Sequence, residues 1–195
     1  IRDLRMSRGL GDVYKRQYVH AAGEITVAVM RSRKPFIAMV GGAAAGAGFN
    51  IALACDFVCA SKRAKFTQAF SSIGLISDCG GNLLLPRLVG PQTAKRLMML
   101  PETLSAEEAQ ELGLVTALAE EGELREETAA IAARLAKQPP LALAQTKKLL
   151  NGGKELEDIL RAEEGIQAAL IIGEDCKEGV RAFFEKRRPE FKGRS

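Results

Sequence analysis

The fold of this chain is decided by the stretch Lys34–Asn50, which reads KPFIAMVGGAAAGAGFN. The short apolar run after Pro35 is typical of a buried strand. A loop of glycine and alanine follows, Gly42–Gly48, and the run Phe49–Cys55 then predicts a helix. Small residues let the backbone approach a ligand, and the first N–H groups of a helix point outward without partners. The junction therefore suits developing negative charge.

Three known loop motifs fail at this junction. A phosphate-binding P-loop needs a lysine, and none lies between Gly41 and Asp56. A dinucleotide fingerprint needs a third glycine where Ile51 stands. A nucleophile elbow needs a serine at the position of Ala47. Local sequence leaves two interpretations open: a tight packing turn between strand and helix, or a site that stabilises an anion.

Further motifs lie downstream of this stretch: Ala52–Asp56 (ALACD), Gly74–Gly81 (GLISDCGG), Leu85–Gly90 (LPRLVG), Leu104–Ala109 (LSAEEA) and Glu178–Arg187 (EGVRAFFEKR). With these residues the chain resembles the crotonase (enoyl-CoA hydratase/isomerase) family over about residues 18–193. The pieces Gln68–Ser71 and Asp78–Gly81 look most like the ring-1,2-epoxyphenylacetyl-CoA isomerases and related enoyl-CoA isomerases.

The resemblance implies an α/β fold with a repeated ββα core over residues 18–136, incomplete at its N-terminus. A C-terminal helical trimerisation region with a basic tail would follow over residues 137–195, in a homotrimer or a dimer of trimers. Residues 1–17 match nothing at the equivalent place in the family and are interpreted as a non-native segment. We therefore expect an N-terminally truncated chain without the unit that donates the other oxyanion N–H.

The resemblance also implies roles for single residues. In this family a backbone N–H at the position of Ala47 holds the thioester oxygen while an enolate forms, and Gly46 and Gly48 flank it at the substrate. The isomerases carry their acid/base aspartate at the position of Asp78, and Phe70 lies at the substrate. Considered by local sequence alone, Asp78 has a second interpretation, as the N-cap of a helix beginning near Gly80.

The two glutamates of the hydratases are absent, because their positions fall on Asn50 and Phe70. Adding water to a double bond needs groups that hold water and pass protons, and neither residue can do so. The sequence therefore favours acyl-CoA isomerisation. A non-catalytic fragment of a crotonase oligomer is one alternative, and hydration by a rearranged site is another.

The basic C-terminal tail also has two interpretations. In the family, a phenylalanine and a lysine at the positions of Phe183 and Lys186 reach the adenine and phosphates of coenzyme A. The tail could equally be a solvated helix end, where cations are favoured. Coenzyme A would be part of the substrate, so no separate cofactor is expected.

Composition excludes several other classes of function. The net charge of +4 is concentrated at the two ends of the chain, so a general nucleic-acid surface is not supported. No run is long enough to span a membrane. The single histidine, His20, gives neither a metal cluster nor a triad. The four cysteines are Cys55, Cys59, Cys79 and Cys176. They have no metal-binding spacing, which favours a reduced, cytoplasmic protein.

Periodicity and turn signals predict alternating strands and helices, then helices alone. The predicted strands span residues 36–40, 57–61, 65–68 and 115–118. The predicted helices span residues 18–32, 47–55, 80–89, 93–100, 124–137, 141–150 and 156–170, with a further helix starting at the capping box of Ser105.

Overall fold

The computed structural model describes residues 20–73, 75–100, 102–152 and 173–193. Its helices are α1 (20–31), α2 (Ala47–Ala54), α3 (Gly81–Met99), α4 (Ala106–Glu111), α5 (Leu124–Leu135), α6 (Pro140–Leu150) and α7 (Glu174–Phe184). Its strands are β1 (Ile37–Val40), β2 (Ala43–Ala45), β3 (Phe57–Ser61), β4 (Lys65–Thr67), β5 (Thr103–Ser105) and β6 (Ala117–Ala119). The segment 1–17 and the helix predicted over 156–170 lie outside the described residues.

The chain repeats one pattern twice. In each repeat the first strand joins one sheet, the second strand joins another, and a helix follows: β1-β2-α2, then β3-β4-α3. Strands β1 and β3 pair in parallel, as do β2 and β4. Strand β6 completes the first sheet beside β3, and β5 runs antiparallel to β4 in the second. The predicted α/β fold with ββα units is confirmed.

The core joins the second helix, the second sheet and the third helix. The rings of Phe49 in α2 and Phe66 in β4 lie 5.3 Å apart between centroids, and both are almost fully buried. Leu85 and Leu97 of α3 are buried in the same cluster. Burial of each such side chain stabilises the fold by about 1.5–3 kcal/mol. This packing holds the start of α2 against β4 and α3.

Several details of the predicted elements were wrong, and one is that strand β5 (Thr103–Ser105) was not predicted. Ala43–Ala45, expected to be loop, form β2 because their backbone pairs with that of β4. The two helices predicted over 80–89 and 93–100 are continuous apart from a kink at Gly90, whose φ is 77° and ψ is 160°. Pro91 causes this kink, since a proline removes an N–H and moves the preceding residue out of helical conformation.

A buried ion pair ties α6 to the start of the first sheet. The Lys147 Nζ lies 2.6 Å from the Asp56 carboxylate and 3.1 Å from the Lys34 carbonyl. The other contact of that carboxylate is the Phe36 N–H, at 2.7 Å.

None of the described helices combines the length and the apolar character that crossing a bilayer demands. The domain boundary near residue 136 and the trimerisation role of the C-terminal region stay predictions.

Candidate active site

The junction between β2 and α2 has the geometry that the glycine-alanine loop predicts. Gly46 precedes the helix with φ 52° and ψ −119°, and its N–H donates to the Thr67 carbonyl at 3.0 Å. Glycine suits this position because its φ is positive. Ala47 is the first residue of α2, so its N–H has no carbonyl within the helix to bind. Gly48 is exposed, and no atom lies within 4 Å of where a side chain would begin.

Phe70 packs directly on this turn. Its ring atoms lie 3.2 and 3.3 Å from the position that a Cβ on Gly46 would occupy. A larger residue at position 46 would therefore clash with the Phe70 ring and strain the backbone. The structure thus brings Phe70 to the Gly46 turn, 24 residues earlier in the sequence, from which Ala47 begins α2.

Asn50, one turn into α2, is fully buried, and its side chain makes three hydrogen bonds. Its Nδ2 donates to the Ser77 Oγ and to the Asp78 carbonyl, both at 2.9 Å. Its Oδ1 accepts from the Gln68 Nε2 at 2.7 Å. Both N–H donors of this amide are used and its oxygen is bound by Gln68, so Asn50 has no free donor with which to hold a water. The residue instead links α2 to the loop that carries Asp78.

The side chain of Asp78 is set apart from this network. Its Oδ1 is buried and has no hydrogen-bond partner among the described residues. An unpaired buried polar atom is costly and needs an explanation, such as a catalytic role. The capping interpretation is wrong, because the N-cap of α3 is Gly80, with φ 79° and no side-chain cap.

The loop around Asp78 is held by its main chain. Cys79 adopts a φ of 45°, which is rare outside glycine. Burial, followed by a hydrogen bond to Asp78 and the charge of Asp78, raises the pKa of the Cys79 thiol to about 11. The thiol therefore stays protonated near neutral pH and is not a nucleophile. Ile76 is 84% exposed, so it does not shield the loop from solvent in this chain.

A cavity of about 580 Å³ adjoins this loop. Its polar lining includes Gln68, Ser77 and Asn82, while Phe70, Leu75, Ile76, Met98 and Met99 supply apolar surface. This volume falls within the usual range of about 300–1,000 Å³ for small-molecule sites. The cavity is therefore large enough for an acyl group beside the Asp78 loop.

The C-terminal site residues lie on and after α7. Phe183 is in the last turn of the helix, and its side chain lies outside what the structure describes. Lys186 follows the helix, is exposed and has a φ of 52°. Arg187, by contrast, binds both oxygens of the Glu178 carboxylate. The coenzyme A role of Phe183 and Lys186 stays a prediction.

Sequence reasoning missed the residues that position the loop: Thr26, Gln68, Ser77 and Asn82. Polar residues in otherwise apolar runs were a usable signal for Gln68 and Ser77. No local signal linked Thr26 in α1 to Cys79, 53 residues later. Within the described ranges, no three His, Cys, Asp or Glu side chains cluster so as to hold a metal ion.

These features agree with a comparison against known families. The family described as Enoyl-CoA hydratase/isomerase matches residues 8–194, a range that includes part of the segment 1–17. This chain belongs to the enoyl-CoA hydratase/isomerase family. The membership was expected from the motifs around Ala47 and Asp78, and it is confirmed.

Individual relatives of this family member include enzymes with different reactions. The chain is 41% identical over 163 residues to 1,2-epoxyphenylacetyl-CoA isomerase of Escherichia coli strain K12, covering 83% of this chain and 62% of that protein. It is 39% identical over 176 residues to trans-2-decenoyl-[acyl-carrier-protein] isomerase of Streptococcus mutans, covering 88% and 66%. The crystal structure of an enoyl-CoA hydratase from Polaromonas sp. JS666 superposes with a TM-score of 0.91 at 34% identity, covering 98% of this chain and 75% of the other. The chain thus spans less than two thirds of the length of these curated relatives.

Proposed function

We propose that the protein to which this chain belongs is an acyl-CoA isomerase that shifts a double bond, or opens a ring epoxide, through a thioester enolate. The single observation that carries the proposal is the state of the polar groups at the site. The Asp78 Oδ1 is buried without a hydrogen-bond partner among the described residues, whereas the fully buried Asn50 amide has both N–H donors and its oxygen engaged. One carboxylate is therefore available for proton transfer, and the amide at the hydratase position is not available to hold water.

In the proposed mechanism, Asp78 removes a proton from a carbon next to the thioester or conjugated with it. The C–H bond breaks, its electron pair delocalises onto the thioester oxygen, and the Ala47 N–H donates to that oxygen. Asp78 then returns the proton to a different carbon, and the double bond shifts without a net change in composition. A helix N-terminus favours the developing negative charge because its N–H groups are unpaired and its dipole end is positive.

The cavity beside the Asp78 loop is the proposed place of the acyl group. Its apolar lining of Phe70, Met98 and Met99 suits a hydrocarbon chain or a ring. Gly46 and Gly48 would let the thioester approach the backbone, and Phe183 with Lys186 would contact the coenzyme A part. The isomerases among the relatives support isomerisation as the reaction. We propose a homotrimer or a dimer of trimers on the same family grounds.

Proton exchange measures the proposed step directly. The full-length protein is incubated with an unsaturated acyl-CoA in heavy water, and deuterium entering the acyl chain is followed by mass spectrometry. Asp78→Asn should lower the exchange rate by about 10²–10⁴-fold, the usual contribution of a positioned acid/base. Glu121→Gln, which alters an exposed carboxylate paired with Arg63, is the matched control and should exchange at the wild-type rate. Exchange in Asp78→Asn at the wild-type rate would contradict the proposal.

Two alternatives are separated in the same samples. Formation of a hydroxyacyl-CoA from a crotonyl thioester would favour a hydratase with a rearranged site. A cooperative thermal transition without acyl-CoA binding or exchange would favour a non-catalytic subunit. Both outcomes differ from the deuterated, isomeric acyl-CoA that the proposed isomerase produces.

A further inference from the structure

The loop before α3 has three consecutive carbonyl groups that are each bound by a side chain from a different helix. The Ser77 carbonyl accepts from the Asn82 Nδ2 of α3 at 2.7 Å. The Asp78 carbonyl accepts from the Asn50 Nδ2 of α2 at 2.9 Å. The Cys79 carbonyl accepts from the Thr26 Oγ1 of α1 at 3.0 Å. Three consecutive carbonyls of this loop are thus each bound to a side chain of a different helix.

Two of these anchors are deeply buried. Thr26 is 6% exposed and Asn50 is 0% exposed, so water cannot readily take their place. The Asn50 amide is itself oriented, because its Oδ1 accepts from the Gln68 Nε2. Such bonds in a low-dielectric interior are strong, although the Asp78 carbonyl also accepts from the Gly81 N–H at 2.9 Å.

The anchored loop has a backbone shape that local sequence does not favour. Cys79 and Gly80 have φ values of 45° and 79°, and a non-glycine residue at positive φ is costly. Such conformations persist only where the surrounding structure imposes them. Asn50, Asn82 and Thr26 supply that constraint on the residues on either side of the Asp78 Cα.

All three bonds end on the main chain, and none of these three donors binds the carboxylate. The position of Asp78 is therefore held through its backbone, while its Oδ1 has no hydrogen-bond partner in the part of the chain that the structure describes. A carboxylate held by direct hydrogen bonds would have its ionised form stabilised and would accept a proton less readily. The three anchors hold the loop without adding to the hydrogen bond that the Cys79 thiol makes to Asp78.

We infer that Thr26, Asn50 and Asn82 are positioning residues for Asp78, acting as a carbonyl clamp that fixes the acid/base loop without engaging its carboxylate. We use "carbonyl clamp" for these three side chains. The inference rests on the proposed function, because proton transfer by Asp78 is what requires a rigid loop. It also assigns a role to Asn50, the residue that stands where the hydratases carry a glutamate.

The test compares clamp variants with a variant that breaks the same kind of bond elsewhere. Thr26→Val and Asn82→Asp remove one donor each with almost no change in shape. Asn151→Asp is the control, because the Asn151 Nδ2 donates to the Met30 carbonyl at 3.0 Å without contacting the loop. Thr26→Ser keeps the hydroxyl and serves as the rescue variant. Asn50 is avoided, since aspartate there would bury a charge.

In the proton-exchange assay, Thr26→Val and Asn82→Asp should lower kcat by at least about tenfold, with KM within about twofold, because misplacing a reacting group mainly slows chemistry. Thr26→Ser and Asn151→Asp should keep kcat within about twofold of wild type. Backbone ¹⁵N relaxation provides a readout that does not need turnover. The order parameters of Asp78 and Cys79 should fall from about 0.85 to below about 0.6 in the two clamp variants only.

The outcomes separate this inference from the proposed function. If Asp78→Asn abolishes exchange while Thr26→Val and Asn82→Asp keep wild-type kcat, the proposed function stands and the clamp is overturned. If Asp78→Asn keeps wild-type exchange, the proposed function fails and the positioning role fails with it. Wild-type order parameters in both clamp variants overturn the clamp whatever the activity. A loss of kcat in Asn151→Asp equal to that in Asn82→Asp would show only a general effect on folding, and this also overturns it.

Discussion

Replacing Gly81 by alanine is the sharpest test of whether the network around Asn50 is rigid. A Cβ at this position would lie closer than 3.0 Å to the Ser77 Oγ and to both polar atoms of the Asn50 amide. Asn50 is fully buried, and both N–H donors and the oxygen of its amide have partners. The added methyl group can therefore fit only if these hydrogen bonds break or the loop moves.

The cost follows from two terms. Forcing a methyl group into a packed interior costs about 1–3 kcal/mol. Losing the bonds from Asn50 to Ser77 and to the Asp78 carbonyl costs about 1 kcal/mol each. Replacing glycine by alanine in a helix returns at most about 1 kcal/mol, since alanine loses less backbone freedom on folding. Gly81→Ala should therefore destabilise the fold by about 2–4 kcal/mol, which lowers Tm by about 5–15 °C for a chain of this size.

Thermal and urea unfolding followed by circular dichroism measure this difference. Gly23→Ala in α1 is the matched control, because nothing lies within 4 Å of its Cβ position. That substitution should stabilise the protein by about 0.5–1 kcal/mol. If Gly81→Ala melts at or above the wild-type temperature, Ser77 and Asn50 can shift freely, and the rigid network does not exist.

Two further predictions concern titratable groups. Because the pKa of the Cys79 thiol is raised to about 11, the folded state keeps this proton to higher pH than the unfolded chain, whose thiol titrates near 9.0. The stability contributed by Cys79 should be complete below about pH 9 and lost toward about pH 11, and Cys79→Ala should flatten this decline in the free energy of unfolding. A wild-type curve parallel to that of the variant would contradict this. Lys147→Met should cost about 3 kcal/mol by leaving the partly buried Asp56 without its cation, whereas the exposed Lys148→Met should cost less than about 0.5 kcal/mol. Equal melting temperatures for the two variants would refute the role of the buried pair.

Much of the fold was predictable because its signals are local. The apolar run after Pro35, the small residues before Ala47 and the capping box at Ser105 predicted a strand, a helix start and a second helix start, and all three were confirmed. Strand β2 was not predictable, since three alanines carry no strand preference. Only the backbone of β4, brought alongside by the ββα repeat, gives Ala43–Ala45 their hydrogen bonds.

At the candidate site, the sequence by itself determined which chemical groups are available. Asn50 and Phe70 stand in place of glutamates, Ala47 follows a glycine at a helix start, and Asp78 is an acid within a glycine-flanked loop. Only the tertiary structure decided what these groups do to one another. It gives the Asn50 side chain three hydrogen bonds, leaves one oxygen of Asp78 without a partner among the described residues, and brings Thr26 to a carbonyl 53 residues away. The reason is that backbone preferences act between neighbours in sequence, whereas hydrogen bonds between helices depend on how those helices pack.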